Sequence, residues 1–140
     1  MDYTDYSKME DYKYSDITQK IIGCAMKAHS FLGNGFQEVI YQRALALELR
    51  EAGLEFQREV EQEIFYQHYT EPIGTRRADF IVEGKVLVEL KAIIQLDDVH
   101  KAQILNYLKA YRFEVGLLIN FGEKSLNFKR FVLSAKSNNH

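Results

Sequence analysis

The chain has 140 residues (16.4 kDa), 46% hydrophobic and 27% charged, with a formal net charge of −2 and a pI near 6.1. Such numbers describe one ordinary globular domain with a single sizeable core, and they argue against a generic nucleic-acid coat, which would be strongly basic. No apolar run reaches membrane-helix length, the N-terminus carries neither a basic nor an apolar leader region, and the lone Cys24 excludes an internal disulfide framework or a cysteine-based zinc site, so a cytoplasmic protein is expected.

Residues 1–14, rich in Tyr, Asp and Lys without periodicity, read as a flexible arm. Asp2, Asp5, Glu10, Asp11 and Asp16 outnumber Lys8 and Lys13, which leaves the rest of the chain close to neutral. A body of that kind binds a phosphodiester only if its few basic groups converge. Ser15 or Asp16 is placed to cap a helix from Ile17 to Leu32, with Ile21, Cys24, Ala25 and Ala28 at helical spacing. Gly33-Asn34-Gly35 stops it; with no preceding strand and incomplete glycine spacing, this is not a nucleotide-binding loop. A second helix is predicted over 37–52, ending at Gly53 as a left-handed C-cap.

Strand periodicity then takes over. Residues 55–69 alternate, Glu71-Pro72-Ile73-Gly74 reads as a turn, and strands are predicted over 76–82 and 86–91. Asp97 or Asp98 caps a helix to Arg112; strands over 115–119 and 126–133 follow, and 137–140 read as a disordered tail. The order α-α-β-β-β-α-β-β implies a single α/β domain over 15–136, built on a central mixed sheet flanked by helices.

The hairpin over 76–91 carries the chemistry. To place Phe80, Val82, Val86, Val88 and Leu90 on one face, 80 must oppose 88 and 82 must oppose 86, around a three-residue loop in which Gly84 or Lys85 is left-handed. The other face is then Arg77, Asp79, Ile81, Leu87, Glu89 and Lys91, with Asp79 opposite Glu89 and Arg77 opposite Lys91. Two carboxylates about 5 Å apart across a ladder repel each other, and a hard divalent cation relieves that repulsion. The plain alternative is a solvated ladder pairing Asp79 with Arg77 and Glu89 with Lys91. Ile81 and Leu87 speak against it, since they imply that a helix partly covers this face.

The stretch from Asp79 to Glu89-Leu90-Lys91 resembles the D-x(n)-E-x-K signature of the PD-(D/E)XK nucleases, with Ala78 standing where the family name has Pro. Gly35-Phe36-Gln37-Glu38-Val39-Ile40-Tyr41 resembles the G-x-x-E-x-x-Y motif of one family within that superfamily. Gln103 and Tyr107, on the helix after the ExK strand, and the run Val115–Gly122 are similar to it as well. The resemblance spans about residues 17–133 and implies a restriction-endonuclease-like core. It implies Mg2+ (or Mn2+) held by Asp79, Glu89, the Leu90 carbonyl and Glu38, with Lys91 positioning water or stabilising the transition state.

The accessory residues have two readings each. Glu38 is a further acid of the site, or an acid favoured simply by a helix N-terminus. Gln103 hydrogen-bonds a phosphate or a nucleophilic water, or is merely solvated. Tyr41 reads as a packing residue with a hydroxyl anchor and His100 as a surface residue, while Arg77 and Tyr107 are candidates for nucleic-acid contact. The expected function is metal-dependent hydrolysis of phosphodiester bonds in DNA or RNA, with DNA favoured. The rivals are a nuclease-fold module that binds nucleic acid or protein without cleaving, and a subunit that forms a homodimer or docks on a larger nucleic-acid-processing partner.

Overall fold

The structure, a computed structural model, describes residues 13–133. The arm expected over 1–14, apart from Lys13 and Tyr14, and the tail over 137–140 lie outside these residues. Helices α1 (Ser15–Leu32) and α2 (Glu38–Glu51) lead into strands β1 (Phe56–Phe65), β2 (Pro72–Val82) and β3 (Val86–Lys91). Helix α3 (Asp98–Tyr111) and strands β4 (Val115–Asn120) and β5 (Asn127–Val132) complete the domain. The five strands lie side by side in chain order; only β3 and β4 are parallel, joined through α3.

Two apolar layers sandwich the sheet. Phe80, Val82, Val88, Leu90, Leu117 and Ile119 meet α1 and α2 on one face, where Cys24, Ala25 and Ala28 are small enough to let the two helices approach. Cys24 is buried and its thiol donates to the Glu48 carbonyl at 3.4 Å. On the other face Ile81, Leu87 and Leu118 pack against Ile104, Leu108 and Tyr111 of α3. Gly116 permits that approach, because a Cβ there would lie 3.0 Å from a Leu108 methyl.

Most elements fall where periodicity placed them, and the differences have local causes. Helix α1 begins at Ser15 with Tyr14 as a left-handed N-cap and no side-chain cap, so neither Ser15 nor Asp16 caps it. Helix α3 is capped by Asp97, whose carboxylate accepts the Val99 N–H at 3.1 Å while His100 Nδ1 accepts the Asp97 N–H at 3.2 Å. The turn expected at 71–74 instead precedes Pro72, which opens β2; a first strand position suits a residue without an N–H. The β2–β3 register is Phe80↔Val88, Ile81↔Leu87 and Val82↔Val86, as derived, and Gly84 takes positive φ together with Glu83.

One irregularity reorders the faces. In the β1–β2 ladder the pairs Arg58↔Phe80 and Val60↔Ala78 form, but the intervening Glu59 has φ 52 and does not pair with Asp79. Phe80 belongs to the α1/α2 layer, whereas Ala78, two residues away, belongs to the α3 layer. The side-chain alternation is therefore inverted below Phe80. Arg76 comes to the α3 side and Arg77, exposed, goes to the other, the reverse of the expected placement.

Candidate active site

Beyond Phe80↔Val88 the β2–β3 ladder ends, and two carboxylates replace its rungs. The Leu90 N–H donates to Asp79 Oδ2 at 2.8 Å, and the Asp79 N–H donates to Glu89 Oε2 at 3.3 Å. Asp79 and Glu89 thus face each other through reciprocal side chain–backbone bonds rather than as a flat cross-strand pair. Because the Leu90 N–H points toward Asp79, its carbonyl points to the same side of extended backbone. The expected opposition of Arg77 and Lys91 is absent, for the reason given above.

Gln42 and Tyr111, not assigned from the sequence, and Arg76, read there as a possible phosphate contact on a solvated face, complete the lining. Gln42, one turn after Glu38 in α2, donates to Asp79 Oδ1 at 3.1 Å. Arg76 Nη2 donates to Glu89 Oε1 at 2.8 Å, and its Nη1 donates to the Tyr111 hydroxyl at 3.3 Å. The guanidinium carbon sits 3.9 Å from the centre of the Tyr107 ring, which itself stacks on Tyr111. Glu38/Gln42 is an i, i+4 pair on one helix face, a signal present in the sequence. Arg76 was hidden by the face inversion at Glu59.

Glu38 lies in the first turn of α2, close enough that the charges of Asp79, Lys91, Glu89 and Arg76 all act on it. Lys91 ends β3, partly exposed, and its charge bears on Asp79 and Glu38. Gln103 is on α3 with a buried Oε1 that accepts no hydrogen bond among the described residues. Tyr41 is fully buried, stacks on Phe121 at 4.7 Å, and ties the preceding loop: its hydroxyl donates to the Gly33 carbonyl at 2.5 Å and accepts the Phe36 N–H at 3.1 Å. The hydroxyl-anchor reading of Tyr41 holds. His100 belongs to the helix cap.

The exit of β3 is fixed by Asn120, a fully buried residue that sequence reasoning passed over at the end of an apolar run. Its amide exchanges two 3.0 Å hydrogen bonds with the backbone of Ile93, and the Phe121 N–H donates to the Lys91 carbonyl at 2.8 Å. The parallel β3 and β4 thus end together, at the carboxyl edge where open α/β sheets place their ligands.

Electrostatically the site is acidic, with Glu89 buried, Asp79 half-buried and Glu38 toward solvent. Burial pushes the Asp79, Glu89 and Glu38 carboxyls above their ordinary values; Asp79 adds repulsion for the other two, while hydrogen bonds from Leu90, Gln42 and Arg76 oppose the rise. Burial also works against the Arg76 charge, yet its bonds to Glu89 and Tyr111 prevail and the guanidinium is held more firmly protonated than usual. Among the described residues no three His, Cys, Asp or Glu side chains close into a metal cluster. The donor chemistry nevertheless fits a hard divalent cation. Each of the four Asp79 and Glu89 oxygens accepts one N–H and keeps a lone pair, and Mg2+ needs only one or two carboxylates beside waters and phosphate oxygens.

A family model described as the PD-(D/E)XK nuclease superfamily matches residues 15–131. The chain belongs to that superfamily. Nothing among curated proteins matches it. Among solved structures it is similar to the crystal structure of SSO0001, at 19% identity and a TM-score of 0.51, over 89% of this chain and 61% of that one. This PD-(D/E)XK domain therefore spans about three fifths of that chain, and the likeness is one of fold. The matched residues include Asp79, Glu89 and Lys91, and the first two meet at the open end of the β2–β3 ladder. Among the described residues, no helix is long and apolar enough to cross a membrane.

Proposed function

We propose that this PD-(D/E)XK domain is a divalent-metal-dependent nuclease hydrolysing phosphodiester bonds in DNA or RNA, with the G-x-x-E-x-x-Y motif at Gly35–Tyr41 placing it in the family of that name. The observation that carries the reading is the interlocked Asp79–Glu89 pair, Glu89 buried and Asp79 half-buried, at the carboxyl edge of the sheet with Lys91 at the end of β3. Asp79, Glu89, the Leu90 carbonyl and Glu38 would hold Mg2+ or Mn2+. Such an ion, when bound, supplies an acidified water and a polarised phosphate. Lys91 neutralises charge that develops on the phosphate oxygens, and Gln42 and the Leu90 N–H orient Asp79. Gln103 and Tyr107, on α3 beside the site, contact the phosphate and the flanking nucleotide. Arg77, on the opposite side of β2, is not included.

The test is cleavage of plasmid, single-stranded DNA and RNA with Mn2+, comparing wild type with Asp79→Ala and Lys91→Ala. Loss of cleavage in both variants is expected, and equal activity in either would sink the reading. The 2.8 Å Arg76–Glu89 ion pair favours a second reading, because it satisfies a core carboxylate without a metal ion. In that case the domain binds nucleic acid or protein without cutting. Salt-dependent DNA affinity that survives Asp79→Ala, with no cleavage of any substrate, would establish it. Light scattering of the purified chain tests the homodimer.

A further inference from the structure

We propose that Arg76 is a built-in competitor for the metal site, holding Glu89 until a phosphodiester draws it away, so that nucleic acid and metal bind cooperatively. The proposal rests on the nuclease reading above. Three contacts define the residue: Glu89 Oε1 at 2.8 Å, the Tyr111 hydroxyl at 3.3 Å and the Tyr107 ring at 3.9 Å. The Glu89 side chain is 4% exposed and that of Arg76 is 32% exposed, so the ion pair reaches solvent through Arg76 and not through Glu89.

A guanidinium fork accepts a phosphate as readily as a carboxylate. The stacked pair Tyr107 and Tyr111 gives it a wall that does not depend on Glu89, so the group can change partner while remaining stacked. While it stays on Glu89, one oxygen of that ligand is engaged and an arriving cation meets a fixed positive charge. A phosphate at the mouth removes both obstacles. By linkage, whatever nucleic acid adds to metal affinity, metal adds to nucleic-acid affinity. Lys91, the other cation of the site, forms no ion pair among the described residues and serves as the control for charge alone.

The experiment measures Mn2+ affinity by calorimetry, without nucleic acid, for wild type, Arg76→Gln, Lys91→Met and Tyr107→Leu. In parallel, binding of labelled DNA and RNA oligonucleotides of one sequence is followed by anisotropy in EDTA, where no cleavage occurs. Arg76→Gln is expected to tighten Mn2+ about 10-fold, Lys91→Met no more than about 3-fold, and Tyr107→Leu about 3-fold by loosening the guanidinium. Arg76→Gln is also expected to weaken the oligonucleotide, and the nucleic acid that suffers more is the source of the phosphodiester. Equal gains in Arg76→Gln and Lys91→Met, or unchanged oligonucleotide affinity, would overturn the proposal. If Arg76→Gln fails to fold, Tyr107→Leu decides, and unchanged Mn2+ affinity there would overturn it. Wild type that binds Mn2+ with no shift in these variants defeats this inference alone; no Mn2+ binding in any of them defeats the nuclease reading with it.

Discussion

Replacing Asn120 by Ala should unfold the carboxyl edge of the β3–β4 pair before anything else. Asn120 is fully buried, and its Oδ1 accepts the N–H of Ile93 at 3.0 Å and of Gly122 at 3.1 Å, while Nδ2 donates to the Ile93 carbonyl at 3.0 Å. Alanine leaves two N–H groups and one carbonyl without partners. Water cannot readily replace the amide, since Gly122 is packed so tightly that a Cβ on it would lie 2.3 Å from the Ile93 nitrogen and oxygen. At about 1 kcal/mol for each orphaned group the loss is about 3 kcal/mol. With a urea slope of about 1.5–2 kcal/mol/M the unfolding midpoint should fall by roughly 1.5–2 M. On the nuclease reading the Leu90 carbonyl, three residues before Ile93, would hold the metal, so Mn2+ affinity should drop in the folded variant as well. A midpoint within roughly 0.3 M of wild type would refute the reasoning, because it would mean that the clamp is dispensable.

Three further outcomes are expected. The Asp79, Glu89 and Glu38 carboxyls are raised by burial above ordinary values of 3.8 for Asp and 4.5 for Glu, so the stability they contribute is present below those values and is lost as pH rises through the raised ones. In metal-free buffer, thermal melts should therefore show Glu38→Gln gaining on wild type as pH rises from about 4 to 7; a gap independent of pH would contradict this. Glu59→Val should destabilise by about 1–2 kcal/mol, against the usual strand preference, because a β-branched residue resists the φ of 52 there, while Glu59→Gly should be neutral or slightly stabilising. Urea titration of the two variants distinguishes them, and the reverse order would show that the inversion is not anchored at this residue. Tyr41→Phe removes both bonds to the Gly33–Phe36 loop and should cost about 1–2 kcal/mol, with faster amide exchange at Phe36 as its local signature.

The register of the β2–β3 hairpin was legible in the sequence through short-range alternation: the apolar set Phe80, Val82, Val86 and Val88 admits only one pairing, and the structure has it. The order of all eight elements was legible for the same reason. Arg76 was not, since its side of the strand depends on a left-handed Glu59 on a neighbouring strand, and nothing in the local pattern of β2 signals that. Asn120 was obscured differently. A polar residue closing the run from Val115 looks like a strand end, and only the packing of Gly122 on Ile93 makes it a buried clamp. Pro72 was read as a turn because proline usually marks one, yet a strand start satisfies the same missing N–H.

On the nuclease reading, the site's weakness as a structural element follows from what it would have to do. Three carboxyls are gathered where burial disfavours their charge, and folding without a cation is sustained by Arg76 on Glu89 and by Gln42 and the Leu90 N–H on Asp79. The Gln42 and Leu90 contacts are neutral donors that leave a bound ion unopposed. Arg76 differs, since it contributes a full charge and, on the proposal above, would have to yield that position to a metal ion. Removing it would leave Glu89 buried and unpaired, which is destabilising by about 3–5 kcal/mol in comparable pairs. Keeping it hinders the metal. On the proposal above, a phosphate as alternative partner would resolve the conflict, because on binding it would take over the guanidinium and free Glu89 for the metal. The position of Arg76 against Tyr107, at the mouth rather than deep in the core, is where such an exchange can occur.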